Sequence, residues 1–311
     1  MIHTVTLNPA IDTLLYLDEF KKNVTNRLQK VDDTIGGKGT HVSINLKLLG
    51  LDSTAYGVVH GKTGQQILDL LTGYGIQSAF LKKEGDKESR TNFLLIEGTG
   101  DCCILASKGI MLTNEDIDKV VSSLYSNIQD GDYLILSGDA TNCPDVNIYN
   151  TIINRLSDKH PKIFLDTSGA TLGQCMNESP YLIKPNLDEL SSLVDFPLET
   201  EDDIVAGIES LAKYNIEIIA VSLGGDGSIV KTPEGIYKIV PPSVNVRNTI
   251  GCGDCFLSGL IYGLANELNV EDILRIATAC SAATAESNTS VGFDQERYQE
   301  LISKVTIKKL K

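Results

Sequence analysis

The sequence predicts an α/β fold: a mostly parallel β-sheet flanked by helices on both faces, with a small β-sheet lid. Three observations carry this expectation. Short β-branched runs alternate with helical segments along most of the chain, the rhythm of strand–helix–strand units that bury a parallel sheet between helices. The last third is dominated by helical spacing of apolar residues. Two sequence-distant stretches, 12–35 and 90–107, break the rhythm with short alternating strands and no helix between them.

Taken in order, residues 2–7 read as a strand closed by the turn Asn8-Pro9. Residues 40–49 read as a helix stopped by Gly50, and 54–59 as a strand. Thr113 with Asp116 has the spacing of a capping box for a helix running to Asn127. Residues 133–136, 163–166, 181–184 and 218–222 are short apolar runs of the kind buried in a parallel sheet. Helices are expected over 252–268, 270–287 and 294–305. The stretches 12–35 and 90–107, the second turning through Gly98-Thr99-Gly100-Asp101, are expected to meet as one small sheet. No internal repeat or low-complexity linker divides the chain, so residues 1–311 are expected to form a single domain, with the lid an excursion from it.

Across its 311 residues the chain carries a formal charge of −14. That argues against a nucleic-acid or anionic-membrane partner, because a phosphate backbone demands a basic face. A small phosphorylated substrate needs only a few local Lys and Arg. No apolar run reaches membrane-spanning length, and MIHTVTLNPA lacks the basic-then-apolar profile of a signal peptide, so a cytoplasmic location is expected. Seven scattered cysteines do not suggest a disulfide framework. Cys252 and Cys255 have CxxC spacing, but no second pair complements them, and they read as packing residues.

The chemistry concentrates in glycine-rich turns at element ends. Asn248-Thr249-Ile250-Gly251-Cys252-Gly253-Asp254 runs into Phe256, Leu257, Leu260, Ile261 and Leu264 at helical spacing. The turn therefore sits at a helix N-terminus, where unpaired N–H groups and the dipole favour an anion. Asp254 adds a carboxylate beside that site, as a phosphoryl-transfer enzyme needs and a simple anion binder avoids; the same residue also reads as a helix cap. Gly36-Gly37-Lys38-Gly39 precedes the helix 40–49 and offers a seat for a phosphate or sugar hydroxyls, or else a surface turn. It is no Walker motif, because Gly39 follows the lysine where Ser or Thr must stand, and no G-x-G-x-x-G is complete anywhere.

Lys184-Pro185-Asn186-Leu187-Asp188-Glu189 follows a strand; Asn186 and Glu189 offer oxygens to magnesium, and equally suit a capped helix start. Val221-Ser222-Leu223-Gly224-Gly225-Asp226-Gly227 fits against a nucleotide, or forms a tight hairpin into 228–231. Asp12 follows the first strand, placed to accept from sugar hydroxyls, while Arg27, Arg90 and Asn92 lie on or beside the lid.

In this order the motifs resemble the phosphofructokinase-B family of ribokinase-like carbohydrate kinases. The likeness runs from Thr6-Leu7-Asn8-Pro9-Ala10-Ile11-Asp12 through Gly36-Gly37-Lys38-Gly39, Leu136-Ser137-Gly138, Lys184-Pro185-Asn186 with Glu189, and Val221-Ser222-Leu223-Gly224 to Gly251-Cys252-Gly253-Asp254. The resemblance implies a ribokinase-like core, ATP as donor, Mg2+ as cofactor, and a homodimer paired through the lid. It implies Asp254 as the base and the N–H groups of Gly251, Cys252 and Gly253 as the anion hole. Lys184, Asn186, Ser222, Gly224, Gly225 and Gly227 would face the nucleotide, and Asn186 with Glu189 would organise the metal. Asp12, Arg27, Gly36, Gly37, Lys38, His41, Arg90, Asn92 and Gly138 would hold the acceptor.

The subgroup most similar acts on fructose 1-phosphate or tagatose 6-phosphate, and Pro241-Pro242-Ser243-Val244 and 259–264 are more similar to the first. Three positions depart from the pattern. His41 stands where relatives usually carry an asparagine that touches the acceptor, Asp139 where they carry a serine, and Cys252 where they carry an alanine. Alternatives are a kinase of a non-phosphorylated sugar, a non-catalytic sugar-phosphate sensor, and a dinucleotide enzyme, the last disfavoured by the missing glycine pattern.

Overall fold

The computed structural model describes residues 1–99, 101–138, 140–144 and 147–311; Asp139 lies outside them. In chain order the strands are β1 (Ile2–Thr6), β2 (Ala10–Leu17), β3 (Lys30–Gly36), β4 (Thr54–His60), β5 (Gln77–Ser78), β6 (Leu81–Lys83), β7 (Arg90–Glu97), β8 (Cys102–Leu105), β9 (Tyr133–Ser137), β10 (Lys162–Asp166), β11 (Leu182–Ile183), β12 (Ile218–Ser222), β13 (Ser228–Thr232), β14 (Gly235–Val240) and β15 (Thr306–Lys309). The helices are α1 (Lys38–Leu48), α2 (Gly61–Gly73), α3 (Asn114–Asn127), α4 (Ile148–Arg155), α5 (Gly169–Cys175), α6 (Leu187–Ser191), α7 (Glu201–Ser210), α8 (Cys252–Ala265), α9 (Val270–Ala285) and α10 (Gln295–Ile302).

The large sheet has the order β15–β14–β13–β12–β11–β10–β9–β1–β4–β5, with β6 also on β4. Pairings from β12 through β4 to β5 and β6 are parallel, and those from β12 out to β15 are antiparallel. The parallel strands are apolar on both faces because helices cover both. Leu134, Leu136 and Leu165 point into a core shared with Leu124, Ile152 and Ile208 of α3, α4 and α7. Their neighbours Ile135 and Phe164 point the other way, onto Leu257, Ile261 and Leu274 of α8 and α9.

The stretches 12–35 and 90–107 do meet. They form a four-stranded sheet, order β3–β2–β7–β8, in which β2 and β7 run parallel with Asp12 opposite Asn92. Leu14, Leu94 and Ile96 make its small core, against which Ile250 packs. The opposite face leaves Val31, Phe93 and Leu105 exposed.

Several boundaries differ from the sequence reading. The expected strand 181–184 shrinks to two residues because Pro185 cannot continue the ladder. The helix of 40–49 starts earlier, at Lys38. The helix of 252–268 ends at Ala265, where Glu267 takes a positive φ. The helix of 294–305 gives way to β15, an edge strand whose Thr-Ile-Lys-Lys composition hides it.

Where α8 crosses α9 the backbones nearly touch: a Cβ on Gly259 would lie 2.4 Å from the Ala277 Cα. No rotamer relieves a clash with backbone. Gly259→Ala is therefore expected to destabilise the fold by about 1–3 kcal/mol despite its better helix propensity, because overpacking outweighs that gain. The check is a urea midpoint that falls at constant m; an unchanged midpoint would show that the helices separate freely.

Candidate active site

Polar side chains converge where the central strands end. A cavity of about 440 Å³ opens there, lined among others by Thr6, Asp12, Lys38, His41, Arg90, Glu189 and Asp254. A second, of about 840 Å³, lies along the turn after β12 and is lined by Ser222, Gly224, Gly225, Asp226, Thr200 and Lys238. Asn186 and Ser222 line both cavities, and the two residues form a parallel bridge.

The N-terminus of α8 faces the first cavity. Gly251 precedes it with φ 78°, and a Cβ there would sit 2.0 Å from the Ser290 carbonyl oxygen, so glycine is required twice over. The buried Asn248 side chain ties this turn to the loop after α9: its amide donates to the Ser287 and Thr289 carbonyls, and its oxygen accepts from the Ile250 N–H. Among the described residues no side chain caps α8; the Cys252 N–H reaches the Thr249 carbonyl at 3.4 Å, and the rest of the first turn offers donors to another acceptor. Asp254, in that first turn, is 6% exposed, and its Oδ2 lies 2.7 Å from His41 Nδ1.

His41 Nε2 lies 2.9 Å from the Ile35 carbonyl oxygen. Both ring nitrogens are thus engaged by protein groups, although the ring lines the cavity. Burial works against charge on this imidazole. The hydrogen bond and charge of Asp254, with Asp12 and the Ile35 carbonyl, outweigh that penalty and hold its pKa above the ordinary value of 6.5.

Two lysines that line the first cavity, Lys38 and Lys184, are held by Asp166, the last residue of β10. Its Oδ1 accepts from Lys38 Nζ at 3.0 Å and from Lys184 Nζ at 3.2 Å. Burial opposes its ionisation, but the two ammonium groups prevail and its pKa is lowered. The Asp166 charge in turn raises Lys38, against burial and with help from Asp254. Asp166 Oδ2, Thr6 Oγ1 and Ser137 Oγ, at the ends of the neighbouring strands β10, β1 and β9, are buried with no hydrogen-bond partner among the described residues. Asp166 is a residue the motif reading missed; its signal was an acidic residue ending the apolar run Lys162–Asp166.

Other candidates fall as follows. Asn92 Nδ2 donates to Asp12 Oδ1 at 2.8 Å, and a Cβ on Gly36 would displace that carboxylate. Arg90 donates through Nε to the Asn8 carbonyl and through Nη1 to that of Ser107. Gly37 and Gly138 line the first cavity. Arg27 does not reach it and stands exposed on the loop between β2 and β3. Asn186 and Glu189 form a reciprocal capping box at α6, which realises the structural reading of that motif while both still line the first cavity. Gly227 lines neither cavity; a Cβ would meet the Ile239 carbonyl at 2.0 Å, so close packing on β14 explains it. The turn it ends is the hairpin into β13. Burial pushes the Cys252 thiol up to about 12, leaving it a neutral packing group near pH 7.

A model of pfkB family carbohydrate kinases matches residues 5–295. Among curated proteins, the 1-phosphofructokinase of Bacillus subtilis is 30% identical over 310 residues, covering 100% of both chains. The tagatose-6-phosphate kinase of Staphylococcus epidermidis is 29% identical over 310 residues, covering 99% of both. Among solved structures, phosphofructokinase-2 from Escherichia coli superposes with a TM-score of 0.89 at 23% identity, over 97% of this chain and 98% of that one. That last likeness is one of fold.

Removing the Asp166 charge takes the ion-pair partner from the buried Lys184 and from the part-exposed Lys38. Asp166→Asn is expected to cost about 3 kcal/mol, near the lower end for breaking a buried ion pair, because water screens the part-exposed Lys38 and most of the loss comes from Lys184. Chemical denaturation measures it, and a cost below about 1 kcal/mol would mean the lysines find other partners.

Proposed function

The chain belongs to the pfkB family of carbohydrate kinases, and from that premise we propose that it moves the γ-phosphoryl group of ATP to the primary hydroxyl of a ketohexose phosphate. Fructose 1-phosphate is the first choice of acceptor and tagatose 6-phosphate the second. The observation that supports this best is Asp254 at the uncapped N-terminus of α8, in a cavity that shares Asn186 and Ser222 with its larger neighbour. The larger cavity suits ATP and the smaller suits the sugar. The family relatives named above act on sugars already phosphorylated, and the positive charge of Lys38 and Arg90 suits such an acceptor.

The acceptor hydroxyl gives its proton to Asp254 while its oxygen bonds to the γ-phosphorus. The bond from that phosphorus to the bridging oxygen breaks, and its electron pair leaves with ADP. Backbone N–H groups of the Gly251–Gly253 turn stabilise charge on the transferring group. Lys184, beside Gly253, and Lys38 add positive charge on the same side. Asp12, held by Asn92, orients sugar hydroxyls. The oxygen donors Glu189 and Asn186 suit Mg2+, preferably through water. The metal would neutralise charge on the ATP phosphates.

The small sheet, about 12–35 and 90–107, acts as the lid of a single kinase domain and excludes water on closing. Its outward face, with Val31, Phe93 and Leu105 exposed, is where two copies pair as a homodimer. Among the described residues no helix is long and apolar enough to cross a membrane, which is consistent with a cytoplasmic place of work.

ADP release is to be measured with fructose 1-phosphate, fructose 6-phosphate, tagatose 6-phosphate and ribose. The highest kcat/KM is expected with fructose 1-phosphate; tight binding of one acceptor with no turnover of any would replace the kinase by a sensor. Asp254→Asn is expected to fold and bind ATP but to lose roughly 10²–10⁴-fold in rate, and near-normal turnover would remove the base assignment. Lys38→Ala is expected mainly to raise the acceptor KM, whereas a pure loss of kcat would place Lys38 on the transferring phosphoryl.

A further inference from the structure

The pairing of His41 with Asp254 goes beyond that reading. His41 Nε2 faces the Ile35 carbonyl at 2.9 Å. A carbonyl only accepts, so Nε2 carries hydrogen. Nδ1 faces Asp254 Oδ2 at 2.7 Å, a length typical of a charge-assisted bond. One proton lies between them: either an imidazolium faces a carboxylate, or a neutral ring faces a carboxylic acid. The charges nearby decide. Asp254 from α8 and Asp12 from β2 both bear on the ring and favour its cation. Lys38, one turn earlier on α1, and the positive end of α8 place positive charge near Asp254. From β3 only the Ile35 carbonyl bears on the ring, and it too favours the cation.

We propose that His41 is a positioning residue: its doubly protonated ring clamps Asp254 Oδ2 and so reserves Oδ1 as the proton acceptor. In the transfer step the acceptor proton passes to Oδ1, the new O–P bond forms, the old one breaks toward ADP, and the clamp proton stays on Nδ1. An asparagine at this position donates a neutral N–H that does not titrate. Histidine makes the clamp sensitive to pH.

The sign follows from the direction of the shift. The pKa of His41 is raised in the folded protein, so the clamp is complete below that value and opens as pH rises through it, above about 6.5. The neutral ring then lacks a hydrogen for one of its two acceptors whichever tautomer it adopts, and the carboxylate is free to turn.

The rate part of this inference rests on the kinase reading, and the spectroscopic part does not. In 15N-histidine NMR of the wild-type protein below pH 6.5, both nitrogens of His41 are expected to be protonated, with a titration above 6.5 that shifts down in Asp254→Asn. A His41 ring that titrates below 6.5, or whose titration is unmoved in Asp254→Asn, would overturn the proposal. In the ADP-release assay, kcat/KM of the wild type is expected to fall on the alkaline side, and His41→Asn is expected to remain active and lose that limb. Retention of the limb in active His41→Asn would overturn it as well. His41→Leu is expected to lower kcat by up to about 10²-fold, as for a displaced catalytic group, with little change in acceptor KM. A wild type that turns over none of the four acceptors refutes the kinase reading and leaves the NMR result to judge the clamp.

Discussion

A carboxylate almost without water has to be compensated, and at Asp166 that requirement organises the centre of the molecule. Taking such a charge out of solvent costs several kcal/mol unless opposite charge is brought to it. Here the compensation comes from two directions: Lys38 at the start of α1 and Lys184 at the end of β11 both reach one oxygen. Elements far apart in sequence are thereby held to one point at the end of β10. The same two cations give the cavity floor a positive character in a chain whose formal charge is −14. Net charge does not set what a pocket binds; the local arrangement does.

The glycine motifs supply the second layer of order, and each does so by proximity. Gly39 lets α1 lie on β1, where a Cβ would come within 2.7 Å of the Val5 carbonyl. Gly251 does the same for α8 against the Ser290 carbonyl. These contacts leave the N-termini of α1 and α8 facing one cavity, with the positive ends of both helix dipoles. Within that frame Asp254 is buried and oriented by a neighbour, whereas at most helix starts an aspartate turns back to cap its own backbone.

Much of this was legible in the sequence because it is written in local pattern. Strand runs such as 133–136 and 163–166 announce themselves by apolar length, and the two helix-free stretches announce a separate sheet by what they lack. The charge network was less legible. Asp166 ends an ordinary buried strand, and nothing in Lys162–Asp166 says that two lysines converge on it. His41 was read as an acceptor contact, since sequence reveals which residue stands at a position and not which way its ring turns. Gly227 looked like a nucleotide turn and is accounted for by packing on β14. Arg27 looked like a clamp on the small sheet, and its place depends on a loop path that no local rule sets. Asn248, whose side chain pins the 251–254 turn, was visible only as the residue before a motif.

The underside of the small sheet meets Ile250, the residue just before Gly251. Tyr16 of the same sheet also donates to the carbonyl of Asn288, in the loop that confines Gly251. Any hinging of this sheet must therefore shear an apolar contact one peptide away from the 251–253 turn, the proposed anion hole. The proposed lid and the proposed anion hole thus share a single mechanical coordinate, so a substitution that loosens one will be felt as a blurred geometry in the other.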